Sequence, residues 1–363
     1  MKKTFVTKPF LPPLDEYYES LKEIWENGVL TNSGPFHEKF ENALSNFLGL
    51  PFVSLVNNAT SGLMVAIKAL ELKNEVITTP FSFIATSNSI KWNGLDPVFS
   101  DTDKDIGNLL LECVEKNINI NTSGIVAVHN YGIPGDIVGM ESLAKKHNLP
   151  IIYDAAPALG VKLNDETILK YGDLSVVSFH ATKVFTTFEG GAIISHSKSM
   201  KNKIDRIRNF GIKDEYTVEQ LGMNAKMSEP NAALGLLQLK YFDSILQERE
   251  NIYKLYKHGI DPSSGCRLIE IPKNILYNYA YCPIVFQGGI KARDKAYDKM
   301  KSESIFCRKY WYPLITEQQI YSSYKGSKLL NAEKLSQQIL FLPIYPGLNR
   351  NIILKIIKII NEK

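Results

Sequence analysis

The chain has 363 residues, 44% of them hydrophobic and 22% charged, and a formal net charge of +4. These are globular proportions, which exclude a disordered chain, and the scattered Lys and Arg residues form no basic stripe of the kind that grips nucleic acid. No stretch approaches the roughly 18 uninterrupted apolar residues of a membrane span, and Met1 to Lys8 lack the apolar core of a signal peptide. Cys113, Cys266, Cys282 and Cys307 lie far apart, without metal or redox spacing. The expectation is a cytoplasmic protein with free thiols, no metal, no nucleic-acid partner and no membrane association. Its length suits a large domain with a smaller appendage.

Pro9, Pro12 and Pro13 precede a helical stretch around Tyr17 to Trp25 and the turn-rich segment from Gly28 to Pro35. Val53 to Val56 is a short apolar run that predicts a strand. It leads into Asn57-Asn58-Ala59-Thr60-Ser61-Gly62 and then the amphipathic spacing of Leu63, Ile67 and Leu70. Strand, small polar turn and helix in that order gather backbone N–H groups at the positive end of a helix dipole, where an anion fits. The same residues would also serve as a plain N-cap.

Glu75 to Pro80 predicts the next strand, leading to Phe81-Ser82-Phe83, whose aromatics suit either a core or a flat ring stacked on them. Further strands are expected at Pro97 to Asp101, at Gly124 to His129 running into Asn130-Tyr131-Gly132, and at Pro150 to Tyr153 ending on Asp154. Helical segments such as Gly139 to His147 separate them. This alternation predicts right-handed βαβ units and a mainly parallel sheet, with functional groups at the carboxyl ends of the strands. Thr60, His129, Asp154 and Lys183 all fall at such ends.

Leu174 to Phe179 is a β-branched and aromatic run that passes into His180-Ala181-Thr182-Lys183. A lysine held away from water loses hydration of its charged form, so the free amine becomes available to attack a carbonyl. Ser178 and Thr182 offer hydroxyls beside it, and Glu189-Gly190-Gly191 offers a carboxylate and a flexible turn. A solvated loop lysine is the plain alternative. Asp154 and Lys183 at two strand ends are nevertheless the two groups that pyridoxal phosphate needs, an ion-pair partner for the pyridinium nitrogen and an amine for a Schiff base.

Leu221 to Glu229 reads as a loop containing Asn224, Asn231 to Leu239 as a helix, and Gln247 to Tyr256 as a charged helix leading into a smaller domain. The division is placed at 1–245 and 246–363. Arg308-Lys309-Tyr310-Trp311-Tyr312-Pro313-Leu314 suits either a strand packed on the large domain or cations and aromatics facing a nucleotide. Ile352 to Ile360 predicts a closing amphipathic helix.

The Asp154-Ala155-Ala156, Ser178-Phe179-His180-Ala181-Thr182-Lys183 and Glu189-Gly190-Gly191 segments resemble the motifs of the sugar aminotransferases of the DegT/DnrJ/EryC1/StrS family. The resemblance runs from Lys8-Pro9-Phe10 to Leu342-Pro343-Ile344-Tyr345-Pro346. It implies an α/β fold of the aspartate-aminotransferase type, fold type I, with a mainly parallel seven-stranded sheet in the large domain, a small C-terminal α+β domain, and a homodimer with shared sites. It implies Lys183 and Asp154 as the catalytic pair on pyridoxal phosphate. The cofactor's phosphate would meet the amides near Ala59 and Thr60, the Ser178 hydroxyl, and Asn224 from the partner subunit, while Phe83 would stack on its ring. His129, Tyr131, His180, Glu189, Arg308 and Tyr310 would face the substrate.

The implied substrates are L-glutamate and a nucleotide-linked keto sugar. A dTDP-4-keto-6-deoxyglucose comes first, with dTDP-3-keto sugars, UDP- or GDP-linked sugars, and a non-catalytic nucleotide-sugar binder as alternatives. The amino sugar would serve O-antigen or surface glycan synthesis. Two positions depart from the family pattern. Ala59 replaces a usual glycine, which is tolerable where φ is negative. Pro157 stands where the family carries His, Gln or Glu, and water or another residue is expected to replace that polar contact.

Overall fold

The computed structural model describes residues 3–324, 326 and 328–362. Seven strands form the main sheet: β1 Val53–Val56, β2 Glu75–Thr78, β3 Asp96–Phe99, β4 Thr122–Val128, β5 Ile151–Asp154, β6 Leu174–Ser178 and β7 Gly191–Ile194. Their order across the sheet is β1-β7-β6-β5-β4-β2-β3. All pairings are parallel except those of β7, which runs antiparallel to β1 and β6. β7 follows β6 through a loop with no crossover helix, and antiparallel pairing is what so short a return allows.

The strands read as continuous apolar runs because helices cover both faces. Alternate residues point to opposite sides. Ile151, Tyr153 and Val177 join one core with Phe40 and Phe242, from helices α2 (Pro35–Leu48) and α8 (Glu229–Gly259). Ile152, Val176 and Ile193 join another with Leu63 and Ile67 of α3 (Ala59–Ala69) and Ile204 of α7 (Lys198–Ile207).

The C-terminal part builds a three-stranded antiparallel sheet from β8 Cys266–Leu268, β9 Cys282–Phe286 and β10 Ile339–Leu342, with β9 central. Gly289–Ser302 and the closing helix Arg350–Asn361 pack on it around a core of its own. The chain start returns here, Thr4–Phe5 pairing with Ile305–Phe306.

Two expectations are corrected. The helices read separately at Asn231 to Leu239 and Gln247 to Tyr256 are one 31-residue helix, α8. Its polar stretch from Asp243 to Glu250 keeps apolar positions inward, so Ile245 enters the core of the main sheet and Ile252 that of the C-terminal part. The position between 245 and 246 therefore lies within α8. The segment from Arg308 to Leu314 forms no strand and pairs only through a bridge between Arg308 and Phe341. Among the described residues no helix is long and apolar enough to cross a membrane.

Candidate active site

A cavity of about 300 Å³ opens at the carboxyl ends of the parallel strands. The parallel strands other than β3 contribute the residues that follow them: Asn58, Ala59 and Thr60 after β1, Ser82 and Phe83 after β2, and His129, Asn130 and Tyr131 after β4. Asp154 and Pro157 come with β5, Ser178, His180 and Lys183 with β6. Glu189, just before the antiparallel β7, reaches the same rim, and Tyr281, Tyr310 and Trp311 close the cavity from the C-terminal part.

Asp154 is buried at 6% exposure. Its Oδ2 accepts a hydrogen bond from the Thr86 hydroxyl at 2.7 Å and its Oδ1 one from the Ala156 N–H at 3.2 Å. Burial raises its pKa above the ordinary carboxylate value, and Thr86, Ala156 and the charge of Lys183 oppose that rise. A buried carboxylate whose hydrogen-bond donors are neutral is stabilised by a cation brought against it.

Lys183 is half-buried, and its Nζ donates to the Tyr281 phenol oxygen at 3.3 Å. The loop that carries it is tightly fixed. The Lys183 N–H meets the His180 carbonyl at 2.9 Å, and the Thr187 and Phe179 backbones pair at 2.9 Å. A Cβ on Gly191 would lie 2.7 Å from the Val177 carbonyl oxygen and 3.1 Å from the Ala59 nitrogen, so β7 approaches the start of α3 at a distance only glycine allows.

At that start, the Asn58 side chain caps α3 by accepting from the Ser61 N–H at 2.9 Å. The first backbone bond in the helix runs from Gly62 to the Asn58 carbonyl at 3.0 Å, which leaves the Ala59 and Thr60 amides ahead of it at the positive end of the dipole. Ala59 is not among the residues with positive φ, so the missing glycine costs no strain. The Ser178 hydroxyl faces the same region and accepts from the His180 N–H at 3.3 Å.

His129 is fully enclosed and stacks on Tyr153 at 4.4 Å between ring centroids; burial pushes its pKa down to about 3. Its Nε2 and the Tyr131 hydroxyl find no partner among the described residues, although both side chains line the cavity. Tyr131 sits at φ 62°, an unusual conformation for a bulky residue. At the mouth, His180 Nε2 lies 3.5 Å from Glu189 Oε1, and Phe83, 58% exposed, leans on Trp311 at 5.8 Å.

Of the residues expected from the sequence, Asn224 and Arg308 do not line the cavity of the single chain. Both are exposed, and the neighbouring Lys309 pairs with Asp294 at 2.7 Å. Pro157 lines the wall with its ring, while its carbonyl accepts from Asn278 Nδ2 at 2.7 Å. Sequence reasoning missed Thr86, Tyr281 and Asn130. The one local signal for Tyr281 is the alternation of Tyr277, Tyr279 and Tyr281, and Thr86, three residues beyond the aromatic Phe83, carries no local signal of its own.

Residues 14–361 match the DegT/DnrJ/EryC1/StrS aminotransferase family. The chain is 44% identical over 363 residues to the dTDP-4-amino-4,6-dideoxy-D-glucose transaminase of Shigella dysenteriae, covering 99% of each, and 41% identical over 365 residues to that of Escherichia coli, covering 99% and 98%. Among solved structures it superposes on DesI in the presence of its TDP-sugar product with a TM-score of 0.95, at 29% identity and covering 99% and 93% of the two chains. Helicobacter pylori PseC, an aminotransferase involved in the biosynthesis of pseudoaminic acid, gives 0.91 at 28% identity, covering 99% and 98%. The chain belongs to the DegT/DnrJ/EryC1/StrS aminotransferase family, whose cofactor is pyridoxal phosphate.

The residues present fit that group. A helix N-terminus with two leading amides and a serine hydroxyl suits its phosphate, a buried carboxylate with no hydrogen-bonded cation among the described residues suits its ring nitrogen, and an amine stands in the same cavity.

Proposed function

We propose that this chain transfers an amino group from L-glutamate to dTDP-4-keto-6-deoxy-D-glucose, giving dTDP-4-amino-4,6-dideoxy-D-glucose for a surface glycan such as an O-antigen. The observation that carries it is the pairing of Asp154 and Lys183 in one cavity within a chain 44% identical, end to end, to an enzyme of that name. The setting is the cytoplasm, and the working form is a homodimer in which Asn224 reaches the partner's cofactor phosphate; its exposure on the single chain leaves it free for that contact.

Pyridoxal phosphate, when bound, supplies a ring that withdraws electrons from the carbon of the amine it carries. The Ala59 and Thr60 amides and the Ser178 hydroxyl hold its phosphate, and Phe83 covers its ring. Asp154 keeps a proton on the ring nitrogen by its negative charge. Lys183 takes the proton from the α-carbon of glutamate and, in the second half of the cycle, delivers a proton to the sugar carbon that receives nitrogen. His129, Tyr131, His180, Glu189 and Tyr310 surround the sugar nucleotide, while Arg308 stays outside the cavity of the single chain.

Adding glutamate to the cofactor-loaded protein tests this: the visible absorbance of lysine-bound pyridoxal phosphate should give way to a near-ultraviolet band. A spectrum that glutamate leaves unchanged would contradict the choice of donor.

A further inference from the structure

We infer that Tyr281 is the positioning residue for Lys183, holding its amine where it takes and returns protons. This rests on the function proposed above and adds a residue to it. Tyr281 comes from the C-terminal part of the chain, just ahead of β9, and is 7% exposed. Its phenol oxygen is the only side-chain hydrogen-bond partner of Lys183 Nζ among the described residues, at 3.3 Å. A lysine side chain turns about four bonds, and a proton shuttle works only within hydrogen-bond reach of its target, so a fixed acceptor on the amine decides how often that geometry is met.

The phenol is itself fixed. The Tyr281 ring packs edge-on to Tyr310, Phe341 and Tyr131, with centroids 6.1, 5.5 and 6.3 Å away. The backbone before it is clamped from three sides. Buried Arg249 donates to the Tyr279 carbonyl at 3.1 Å, the Tyr277 hydroxyl donates to the Tyr131 carbonyl at 2.8 Å, and Asn278 donates to the carbonyls of Pro157 and Leu159 at 2.7 and 2.8 Å. The last clamp ties Tyr281 to the wall that carries Asp154. The two halves of the chain thus meet across the site through the amine and the phenol.

Tyr281→Phe keeps the ring and its aromatic contacts, so the variant should fold and lose only the oxygen. The test follows the rate at which cofactor-free protein takes up pyridoxal phosphate, read as visible absorbance, beside its affinity for pyridoxamine phosphate, which fills the same pocket without a bond to lysine. The expected result for Y281F is uptake slowed about ten-fold, the scale of one hydrogen bond to a charged group, with pyridoxamine phosphate affinity unchanged. A purely structural tyrosine would weaken both together. Y281F uptake at the wild-type rate, or slowed only in step with pyridoxamine phosphate affinity, overturns this inference alone. A wild-type protein that takes up no pyridoxal phosphate overturns the proposed function and this inference with it.

Discussion

The Thr86 hydroxyl donates to Oδ2 of Asp154 at 2.7 Å, and through it α4 (Ala85–Trp92) fixes the acid at the end of β5. Thr86 is itself buried, with the Ser82 hydroxyl 2.8 Å from its own. Hydrogen bonds to an ionised group contribute about 1.5–3 kcal/mol, and this one lowers the Asp154 pKa against a burial that raises it. Thr86→Val removes the donor at nearly constant shape. We expect kcat to fall about ten-fold and the acid limb of the pH–rate profile to move upward, since less of the carboxylate is ionised at a given pH. Initial rates across pH check this; an unmoved limb would mean that Thr86 does not govern the acid.

Lys183→Ala should abolish turnover while leaving the melting temperature close to wild type, because its side chain makes one long hydrogen bond and no ion pair among the described residues. Rates and thermal melts together separate the two effects. Near-normal turnover would remove Lys183 from the chemistry.

Gly191→Ala should act on folding and on cofactor uptake together. The added Cβ meets backbone atoms, the Val177 carbonyl oxygen at 2.7 Å and the Ala59 nitrogen at 3.1 Å, which cannot swing aside as a side chain would. Overpacking of this kind costs about 1–3 kcal/mol, and relief requires α3 to shift at the end that faces the phosphate. A lowered melting temperature with weaker pyridoxal phosphate binding is the expected pair of results.

The buried His129 makes stability depend on pH. Its folded pKa, about 3, lies below the unfolded value near 6.5, so between those limits the unfolded chain binds the proton and the folded chain does not. Stability contributed by the neutral ring is therefore present above about pH 6.5 and is lost as pH falls, by about 2 kcal/mol at pH 5. His37, held down to about 4 by burial and by Arg208, adds to the same slope. Asp154, with a raised pKa, works in the opposite sense, losing stability as pH rises through its folded value. His129→Phe keeps a ring against Tyr153 but does not titrate. Denaturant unfolding of the cofactor-free proteins should show a shallower acid loss for the variant, by that amount.

Much of the sheet was legible because each parallel strand, covered on both faces, is a short apolar run bounded by turn residues. Val53 to Val56 is read residue for residue, and β2, β4, β5 and β6 within two residues at each end. The strand-end groups were legible for the same reason, since βα topology sends Thr60, His129, Asp154 and Lys183 to one edge whatever their separation in sequence. Tyr281 was not legible, because its distance from Lys183 depends on how the C-terminal part docks, and no local pattern encodes that. α8 was read as two helices because a charged stretch on its outer face hides the continuous apolar stripe inside. The segment from Arg308 to Leu314 drew attention through its cations, yet Tyr310 and Trp311 are what it brings to the cavity, while Arg308 stays outside it.

The proposed reaction moves nitrogen to one particular carbon of one particular sugar nucleotide. The direct measurement is the NMR spectrum of the product formed from dTDP-4-keto-6-deoxyglucose and nitrogen-15 glutamate by the wild-type protein, with dTDP-3-keto-6-deoxyglucose run beside it. Labelled nitrogen is expected on C4 of the first sugar, and none when Lys183→Ala replaces the wild type. Label on C3 of the second sugar, with none on C4 of the first, would contradict it.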